Sequence, residues 1–371
     1  MDRGSRGSGG SRGDTSGGGG VNLPALRGHN DALVLDLLRG AGPAGLGRGD
    51  LAARTGLTPQ AVSKIAARLR SENLVADAGR EASTGGKPRT LLRLVPEARY
   101  AVGVHLDRDE LTAVRVDLAG RVVAEGRSPL DFGAAPDTVV DEAVRAVARV
   151  CGDRPLLGVG VAAPGPLDWR TGVLGRVTGF PEWEGFPLRE VLEGRLGVPV
   201  RVDKDTNAGV AAGAGFGEAA FGEAVAYVHV GTGLGAGLRL AGGGEVYRGR
   251  RSAAGEFGHQ VLLLDGPACR CGGRGCAEVL CLDAVAAGRL EEAARIVGEA
   301  AANLVALLDV DRVLLGGRVV AGAPGVFLAG VRKVLGVRGF VGGAVRVELA
   351  EGGVAEGAAE LVLGPLFGRG V

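Results

Sequence analysis

The chain has 371 residues, which is enough for two or three domains with sizeable cores. Its content of 46% hydrophobic and 23% charged residues is typical of a soluble globular protein, and no uninterrupted apolar stretch is long enough to cross a bilayer. No signal-peptide pattern opens the sequence, so a cytoplasmic protein is predicted. In that compartment, clustered cysteines bind metal or do redox work more often than they form disulfides.

The net charge of +1 hides an uneven distribution along the chain. Residues 24–96 contain eleven basic and six acidic side chains, whereas residues 97–371 carry a net charge of −5. A basic N-terminal module on an acidic body is the asymmetry expected when one part meets phosphates and the other does not.

The N-terminal end of the chain divides into a tail and a first helix. Residues 1–23 are rich in Gly, Ser and Arg and hold almost nothing to bury, so they are predicted to form a disordered tail. The segment "NDALVLDLLRGAG" that follows places leucines on a helical stripe and ends at glycines, which predicts a helix.

A helix-turn-helix pattern comes next, in "GRGDLAARTGLTPQAVSKIAARLRSENLV". Residues 50–54 read as a short helix, Gly56 as the left-handed residue of a tight turn, and Thr58 as the N-cap of a second helix with Pro59 at its first position. The apolar spacing of this segment closes a small core and leaves one face of the second helix outside. The predicted DNA-contacting residues on and beside that face are Thr58, Gln60, Ala61, Ser63, Lys64 and Arg68.

A basic hairpin is predicted after the second helix, in "STGGKPRTLLRLV". Its double-glycine turn is followed by Lys87 and Arg89, which are placed to reach phosphates or a minor groove. Residues 24–96 are therefore predicted to form a winged helix-turn-helix whose second helix enters the major groove of double-stranded operator DNA. The alternative is a small helical adaptor that binds protein.

From residue 97 the pattern changes to alternating strands and Ala-rich helices. The apolar strands are "YAVGVHL", "TAVRVDLAGRVVAEG", "LLGVGVAA", "VPVRVDKD" and "AVAYVHVG". Strand, turn and strand followed by helix recurs in both halves, which predicts a duplicated α/β fold of two lobes with a cleft between them.

Several motifs together resemble one known family. The winged helix-turn-helix occurs with "GVGVAAPGPLD", "VDKDTNAG", "GTGLGAG", "AGEFGH", "CRCGGRGCAE" and "VLLGG", and this combination resembles the ROK family of sugar-responsive repressors and sugar kinases. The resemblance implies an actin-like, ribonuclease-H-derived fold for residues 97–371, with ligand in the cleft. It places lobe 1 at about residues 97–218 with a C-terminal helix at 353–368, and lobe 2 at about residues 219–352.

One imidazole and three thiols are concentrated in "GEFGHQVLLLDGPACRCGGRGCAE". His259, Cys269, Cys271 and Cys276 supply a complete tetrahedral shell for Zn²⁺ with no open position for a substrate water, so a structural zinc is predicted. The alternative is a set of free thiols lining a Gly-rich loop. Cys151 and Cys281 fall outside the pattern and are read as buried thiols.

The family pattern also implies which residues bind the ligand. In that pattern the glutamates that match Glu256 and Glu278 hydrogen-bond sugar hydroxyls, and His259 can offer the ring nitrogen that the metal leaves free. Asp205 aligns with the general base of the family's kinases and is assigned here to hydrogen-bonding the ligand. The alternative for the two glutamates is that they are solvent-facing charges flanking a loop.

Two departures from the family pattern bear on activity. Kinases of the family have an Asp-x-Gly-Gly-Thr loop that holds ATP phosphates, whereas residues 105–109 here contain no glycine and two carboxylates, which would repel a triphosphate. No kinase activity is therefore predicted. Lys204 stands where the family usually has Asn, and it either binds an anionic group of the ligand or pairs with Asp203 or Asp205.

These observations predict a ligand-responsive transcriptional regulator, a repressor of sugar-related genes, that carries one structural zinc. It is expected to bind a palindromic operator as a homodimer or a dimer of dimers, with a sugar or sugar derivative as its effector and no membrane partner. The alternatives are an ATP-dependent sugar kinase with an appended DNA-binding domain and a regulator that senses a partner protein.

Overall fold

The computed structural model describes residues 23–80, 89–153, 156–213, 222–241, 245–339 and 343–369. The predicted tail at residues 1–23 lies almost entirely outside these ranges, as does the predicted wing tip with Lys87. Within the described ranges, no helix combines the length and the apolar character that a bilayer crossing requires.

The N-terminal module is a winged helix-turn-helix. Gly56 is left-handed at φ 69°, and the Thr58 side chain caps the second helix by accepting a hydrogen bond from the Ala61 N–H at 3.2 Å. Both local predictions are confirmed. The elements are α1 (Leu23–Ala41), β1 (Leu46–Gly47), α2 (Arg48–Thr55), α3 (Pro59–Ser71), β2 (Val75–Arg80) and β3 (Thr90–Leu94), and the three strands pair in the order β1-β3-β2.

The first lobe is built on a five-stranded sheet in the order β10-β7-β4-β5-β6. The segment predicted as one long strand after β4 is a hairpin of two strands, because it turns between Asp117 and Val122. The strands are β4 (Tyr100–Leu106), β5 (Glu110–Asp117), β6 (Val122–Pro129), β7 (Leu156–Ala163) and β10 (Val200–Lys204), with a small hairpin of β8 (Leu167–Asp168) and β9 (Val173–Leu174) and the helices α4 (Pro136–Cys151), α5 (Leu188–Leu196) and α6 (Asp205–Gly213).

The second lobe repeats the same plan. In each lobe the first strand pairs with an antiparallel partner on one side and a parallel partner on the other, which confirms the predicted duplication of the fold. The sheet order is β12-β11-β13-β14, from β11 (Val225–Val230), β12 (Leu234–Arg239), β13 (Arg312–Gly316) and β14 (Arg346–Leu349), and the helices are α7 (Ala277–Ala286), α8 (Leu290–Leu308), α9 (Arg318–Gly322) and α10 (Pro324–Arg338).

The last helix, α11 (Val354–Leu363), returns to the first lobe and lies directly on its sheet. A Cβ at Gly160 of β7 would stand 1.7 Å from the carbonyl oxygen of Ala358, so glycine is required for this close approach. Another side of α11 packs equally closely against α6, since a Cβ at Gly357 would stand 1.8 Å from the carbonyl oxygen of Ala208. The helix is therefore held tightly by both the sheet and α6.

The N-terminal module shares its hydrophobic core with α11. Buried side chains of α1 and β3 pack in one cluster with residues of α11 and with Phe367, just beyond it. Two buried ion pairs cross the same boundary: Arg39 binds Glu360, and Asp36 binds Arg369 at 2.7 Å. The predicted boundary at residue 96 falls inside a short 3-10 helix, Pro96–Ala98, and one core spans it.

Candidate functional site

Four side chains of the second lobe are arranged to hold a metal ion. The ligand atoms of His259, Cys269, Cys271 and Cys276 all lie within 4.8 Å of one another. The Cys271 and Cys276 sulfurs are 3.7 Å apart, and sulfurs bound at about 2.3 Å to one tetrahedral zinc would be about 3.8 Å apart. The donor set predicted from sequence is thus brought together at a separation that fits this ion.

The loop around these ligands is shaped by glycines and short bridges. Gly275 is left-handed at φ 62°, and a Cβ there would stand 1.6 Å from the carbonyl oxygen of Leu263. Isolated β-bridges between Ala268 and Arg274 and between Val261 and Cys276 close the loop on itself. Because burial raises the pKa of the Cys276 thiol to about 12, the thiolate that ligates metal requires a cation beside it.

The cysteines outside the cluster behave differently from each other. Cys281 is buried as predicted, and burial raises its pKa to about 12. Cys151 is only half-buried, because it lies at the end of α4, so the prediction of a buried thiol is wrong there.

A cleft between the two lobes contains a cavity of about 120 Å³. It brings together all five predicted ligand-binding residues, which come from the end of β10, the start of α6, the metal loop and the first turn of α7. The ionisable side chains that line the cavity are Asp107, Arg108, Lys204, Asp205, His229, Glu256, His259 and Glu278.

The metal cluster and the cleft meet at His259. Its Nδ1 lies 3.8 Å from the Cys269 sulfur, and its Nε2 lies 3.9 Å from a carboxylate oxygen of Glu256. One nitrogen therefore faces the thiols while the other faces the cleft. Glu278, at the start of α7, is oriented separately, because its Oε2 accepts a hydrogen bond from the Leu234 N–H at 3.0 Å.

Lys204 has a partner that the sequence did not indicate. Its ammonium group donates to the Ala254 carbonyl and lies 3.4 Å from Glu256 Oε1, with only 5% of the side chain exposed. The expected pairing with Asp203 or Asp205 is wrong, because successive side chains of β10 point to opposite faces and Asp203 is bound by Arg248 at 2.6 Å.

Asp205 stands at the first position of α6. Its Oδ1 accepts a hydrogen bond from the Thr206 N–H at 2.6 Å, so its orientation is set by the helix start. The side chain is half-buried and lines the cleft. A ligand hydroxyl in the cavity could thus bond to a carboxylate fixed to a helix.

The loop at residues 107–109 is tied to the second lobe. Arg318 binds Asp109 with two hydrogen bonds of 2.7 and 2.9 Å and lies 3.7 Å from Asp107. Thr232 also donates to Asp107, at 2.8 Å. The two carboxylates are evident in the sequence, but their counter-ion is not. Arg318 is marked there only by its position directly after "VLLGG".

Two histidines lie beneath this loop. Burial lowers the pKa of His105 to about 4, and its Nε2 is enclosed without a hydrogen-bond partner among the described residues. His229 faces it edge-on at 6.2 Å and contacts the Tyr227 hydroxyl at 3.1 Å. Burial would raise the pKa of Asp107, but His105, Thr232 and Arg318 lower it below its usual value.

The outer face of α3 presents the predicted polar residues. Gln60, Ser63 and Lys64 are exposed there, Thr58 is exposed at the cap, and Ala61 is half-buried. Lys64 has no ion-pair partner among the described residues.

The other predicted DNA contacts differ in their surroundings. The Arg68 guanidinium forms an ion pair with Asp31 of α1, and its role as a DNA contact stays a prediction. Arg89 is exposed directly before the last wing strand, whereas Lys87 lies outside the described residues.

Both transcriptional regulators and sugar kinases are similar to this chain. A family model described as "ROK family" matches residues 101–284. A xylose repressor from Bacillus spizizenii is 28% identical over 244 residues, which are 63% of this chain and 61% of the repressor. The chain thus matches about three fifths of the length of such curated relatives.

Solved structures give the same fold. A ROK family transcriptional regulator, a homologue of the E. coli MLC protein, superposes with a TM-score of 0.71 over 92% of this chain and 97% of its own; at 21% identity it shows the fold alone. A ROK hexokinase from Thermus thermophilus is 30% identical, with a TM-score of 0.56 over 70% of this chain and 96% of its own.

Proposed function

The chain belongs to the ROK family, and on that premise we propose that it is a sugar-responsive DNA-binding regulator that acts as a repressor. The proteins similar to this chain include both a xylose repressor and a ROK hexokinase. Family membership alone therefore does not distinguish a repressor from a kinase. The choice rests on the winged helix-turn-helix, whose capped and exposed helix α3 fits a major groove.

The route from cleft to DNA-binding module is short. Asp205 begins α6, α6 packs on α11 without intervening side chains at Gly357, and Glu360 of α11 binds Arg39 of the module. A ligand that shifts α6 therefore acts on α1 through two helix contacts. A coupling of about 1–3 kcal/mol would change operator occupancy severalfold or more.

Zinc is the metal that the cluster fits best. His259, Cys269, Cys271 and Cys276 would hold it with all four positions filled, so it would supply structural rigidity and no Lewis-acid chemistry for a substrate. By fixing His259, the ion would orient the side of the cleft that carries Glu256.

A neutral sugar is the effector class that the cleft favours. Four carboxylates line it against two permanently charged cations, and the ammonium of Lys204 is already held by Glu256 and the Ala254 carbonyl. Hydroxyl groups suit these acceptors better than a phosphate or carboxylate does. Ligand hydrogen bonds are assigned to Asp205, Glu256, His259 and Glu278.

The kinase alternative is disfavoured by the loop at residues 107–109. Its two carboxylates, Asp107 and Asp109, form ion pairs with Arg318 of the other lobe. The loop also has no glycine that would let its backbone come close to a triphosphate. We expect no hexose-dependent ATP turnover. Turnover with any sugar of a hexose and pentose panel would favour the kinase.

DNA binding is proposed to involve two copies of the chain in the cytoplasm. A homodimer, or a dimer of dimers, would place two α3 helices on the half-sites of a palindrome about one helical turn apart or a multiple of it.

The test is selection of binding sites from a random DNA library with the full chain. We expect a palindromic consensus, and operator binding that changes when one neutral sugar is added. Recovery of no consensus at several salt concentrations would contradict the proposal, whereas a consensus with no sugar response would contradict only the effector class.

A further inference from the structure

A second pocket, of about 310 Å³, lies beside β10 and is lined mostly by the first lobe, with Arg248 from the second. It shares no lining residue with the cleft. Its volume is at the lower end of the range of small-molecule sites, about 300–1,000 Å³. The pocket is therefore large enough for a small metabolite and separate from the effector site.

Four arginines converge on this pocket from four parts of the chain. Arg170 lies in the β8–β9 turn, Arg189 in the first turn of α5, Arg201 on β10, and Arg248 beyond β12. The lining contains only two carboxylates, although the body as a whole is acidic. Such a concentration of positive charge on an acidic body favours an anionic ligand.

Three of the four guanidinium groups keep free donors. Arg248 is bound to Asp203, whereas Arg201 is exposed and has no ion-pair partner among the described residues. Arg189 uses one nitrogen, which donates to the Arg170 carbonyl at 2.7 Å. The Arg170 guanidinium is 4.0 Å from Asp168, at the limit of an ion pair.

Trp169 contributes an aromatic ring to the lining. Its ring lies 4.4 Å from the Arg248 guanidinium and 5.1 Å from that of Arg170. Its indole N–H is buried and has no hydrogen-bond partner among the described residues.

The turn that carries these groups is fixed. Asp168 accepts the Arg170 N–H on its side chain at 3.0 Å and the Gly172 N–H on its carbonyl at 2.7 Å. The fixed backbone at Arg170 reduces the entropy that is lost when this side chain is ordered by an oxyanion.

We propose that this pocket binds a small phosphorylated metabolite, with the phosphate group on Arg170, Arg189 and Arg201. Guanidinium groups match phosphate geometry through paired N–H donors. Leu361 of α11 lines the pocket, next to Glu360 of the ion pair with Arg39, so the site adjoins the helix that joins the lobes to the DNA-binding module. The proposal does not depend on the sugar site in the cleft.

The test uses Trp169 as a reporter. The chain has two tryptophans, so Trp183→Phe leaves Trp169 as the only one. This variant is titrated with inorganic phosphate, glucose 6-phosphate and glucose at constant ionic strength. Calorimetry on the wild type repeats each titration, in case the replacement of the buried Trp183 perturbs folding.

We expect a saturable change with a phosphate compound and none with glucose. Arg201→Ala should raise Kd at least tenfold, while Arg195→Ala, which removes the same charge from a surface ion pair outside the pocket, should leave Kd unchanged. Equal Kd values for inorganic phosphate and glucose 6-phosphate would show that the phosphate group alone accounts for binding. Absence of saturation, or equal Kd values in the two arginine variants, would overturn the proposal.

Discussion

The guanidinium group of Arg39, in the first helix, binds the carboxylate of Glu360, in the last, with Nη1 3.0 Å from Oε2. Their side chains are 1% and 9% exposed, and the ring of Phe367 lies 4.5 Å from the guanidinium carbon. Residues 321 positions apart therefore form one buried ion pair, which joins the helix-turn-helix to the body of the protein.

Glu360→Ala should lower the free energy of unfolding by about 3–5 kcal/mol, because the buried Arg39 would lose the carboxylate that it binds with two nitrogens. Urea denaturation measures the loss. The control is Glu125→Ala, which breaks the exposed pair with Arg127 and should cost at most about 1 kcal/mol. The double variant Arg39→Met/Glu360→Leu should recover most of the stability. Equal losses in the two single variants would refute the prediction.

Cys271→Ser should lower both bound zinc and thermal stability, because a closed metal site couples metal affinity to folding. Zinc per chain is measured by elemental analysis. Cys151→Ser is the matched control, since that thiol lies outside the cluster, and should change neither quantity. Full zinc occupancy in a Cys269→Ser/Cys271→Ser double variant would disprove the assignment.

Glu256→Ala should leave operator affinity without sugar unchanged. It should raise the sugar concentration needed for a half-maximal change in that affinity at least tenfold, because Glu256 reaches the cleft beside His259 and Lys204. Gel shifts with and without the effector measure both quantities. The exposed Glu182 provides a control variant, Glu182→Ala, that should keep the full response. An unchanged response in Glu256→Ala would place the effector elsewhere.

Lys64→Ala should weaken operator binding and reduce the slope of log K against log salt by about 1, because one phosphate contact would release one fewer counterion. Titrations at several salt concentrations give the slope. Lys333→Ala in the body should leave it unchanged. Arg68→Ala should lower the free energy of unfolding and change the salt slope by less than Lys64→Ala does, since Arg68 is bound to Asp31. A slope change equal to that of Lys64→Ala would identify Arg68 as a phosphate contact.

Acidification should destabilise the protein through His105. Its pKa is about 4 in the folded protein and about 6.5 when unfolded, so the unfolded state binds the extra proton first as pH falls. The neutral ring therefore contributes its full stability above pH 6.5. As the pH falls from 6.5 to about 4, the free energy of unfolding should decrease by about 3 kcal/mol. Urea midpoints across this range, compared with those of His105→Gln, measure the loss. Parallel pH profiles for the two proteins would contradict it.

Local features of the site were predictable from sequence because they depend on neighbouring residues. Gly56 and Thr58 specify their turn and cap through their own backbone preferences, and the metal donors are a few residues apart. The cleft itself was placed through the family resemblance, whose motifs mark strand ends.

Long-range ion pairs were not predictable in the same way. Arg318 meets Asp109 across 209 residues, and Lys204 meets Glu256 across 52. In a chain with 43 basic and 42 acidic residues, charge alone does not say which ones pair. Only the packing of the two lobes and of α11 decides that.

The position of Phe367 and Glu360 near the end of the chain has a consequence for synthesis. Residues 24–96 leave the ribosome before α11 is synthesised, so Glu360 and the Phe367 ring that lies over Arg39 are missing at that stage. We expect a product truncated before residue 360 to expose the apolar face of α1 and to be cleaved by proteases faster than the full chain. We expect residues 24–96 grafted alone onto another protein to be less stable for the same reason.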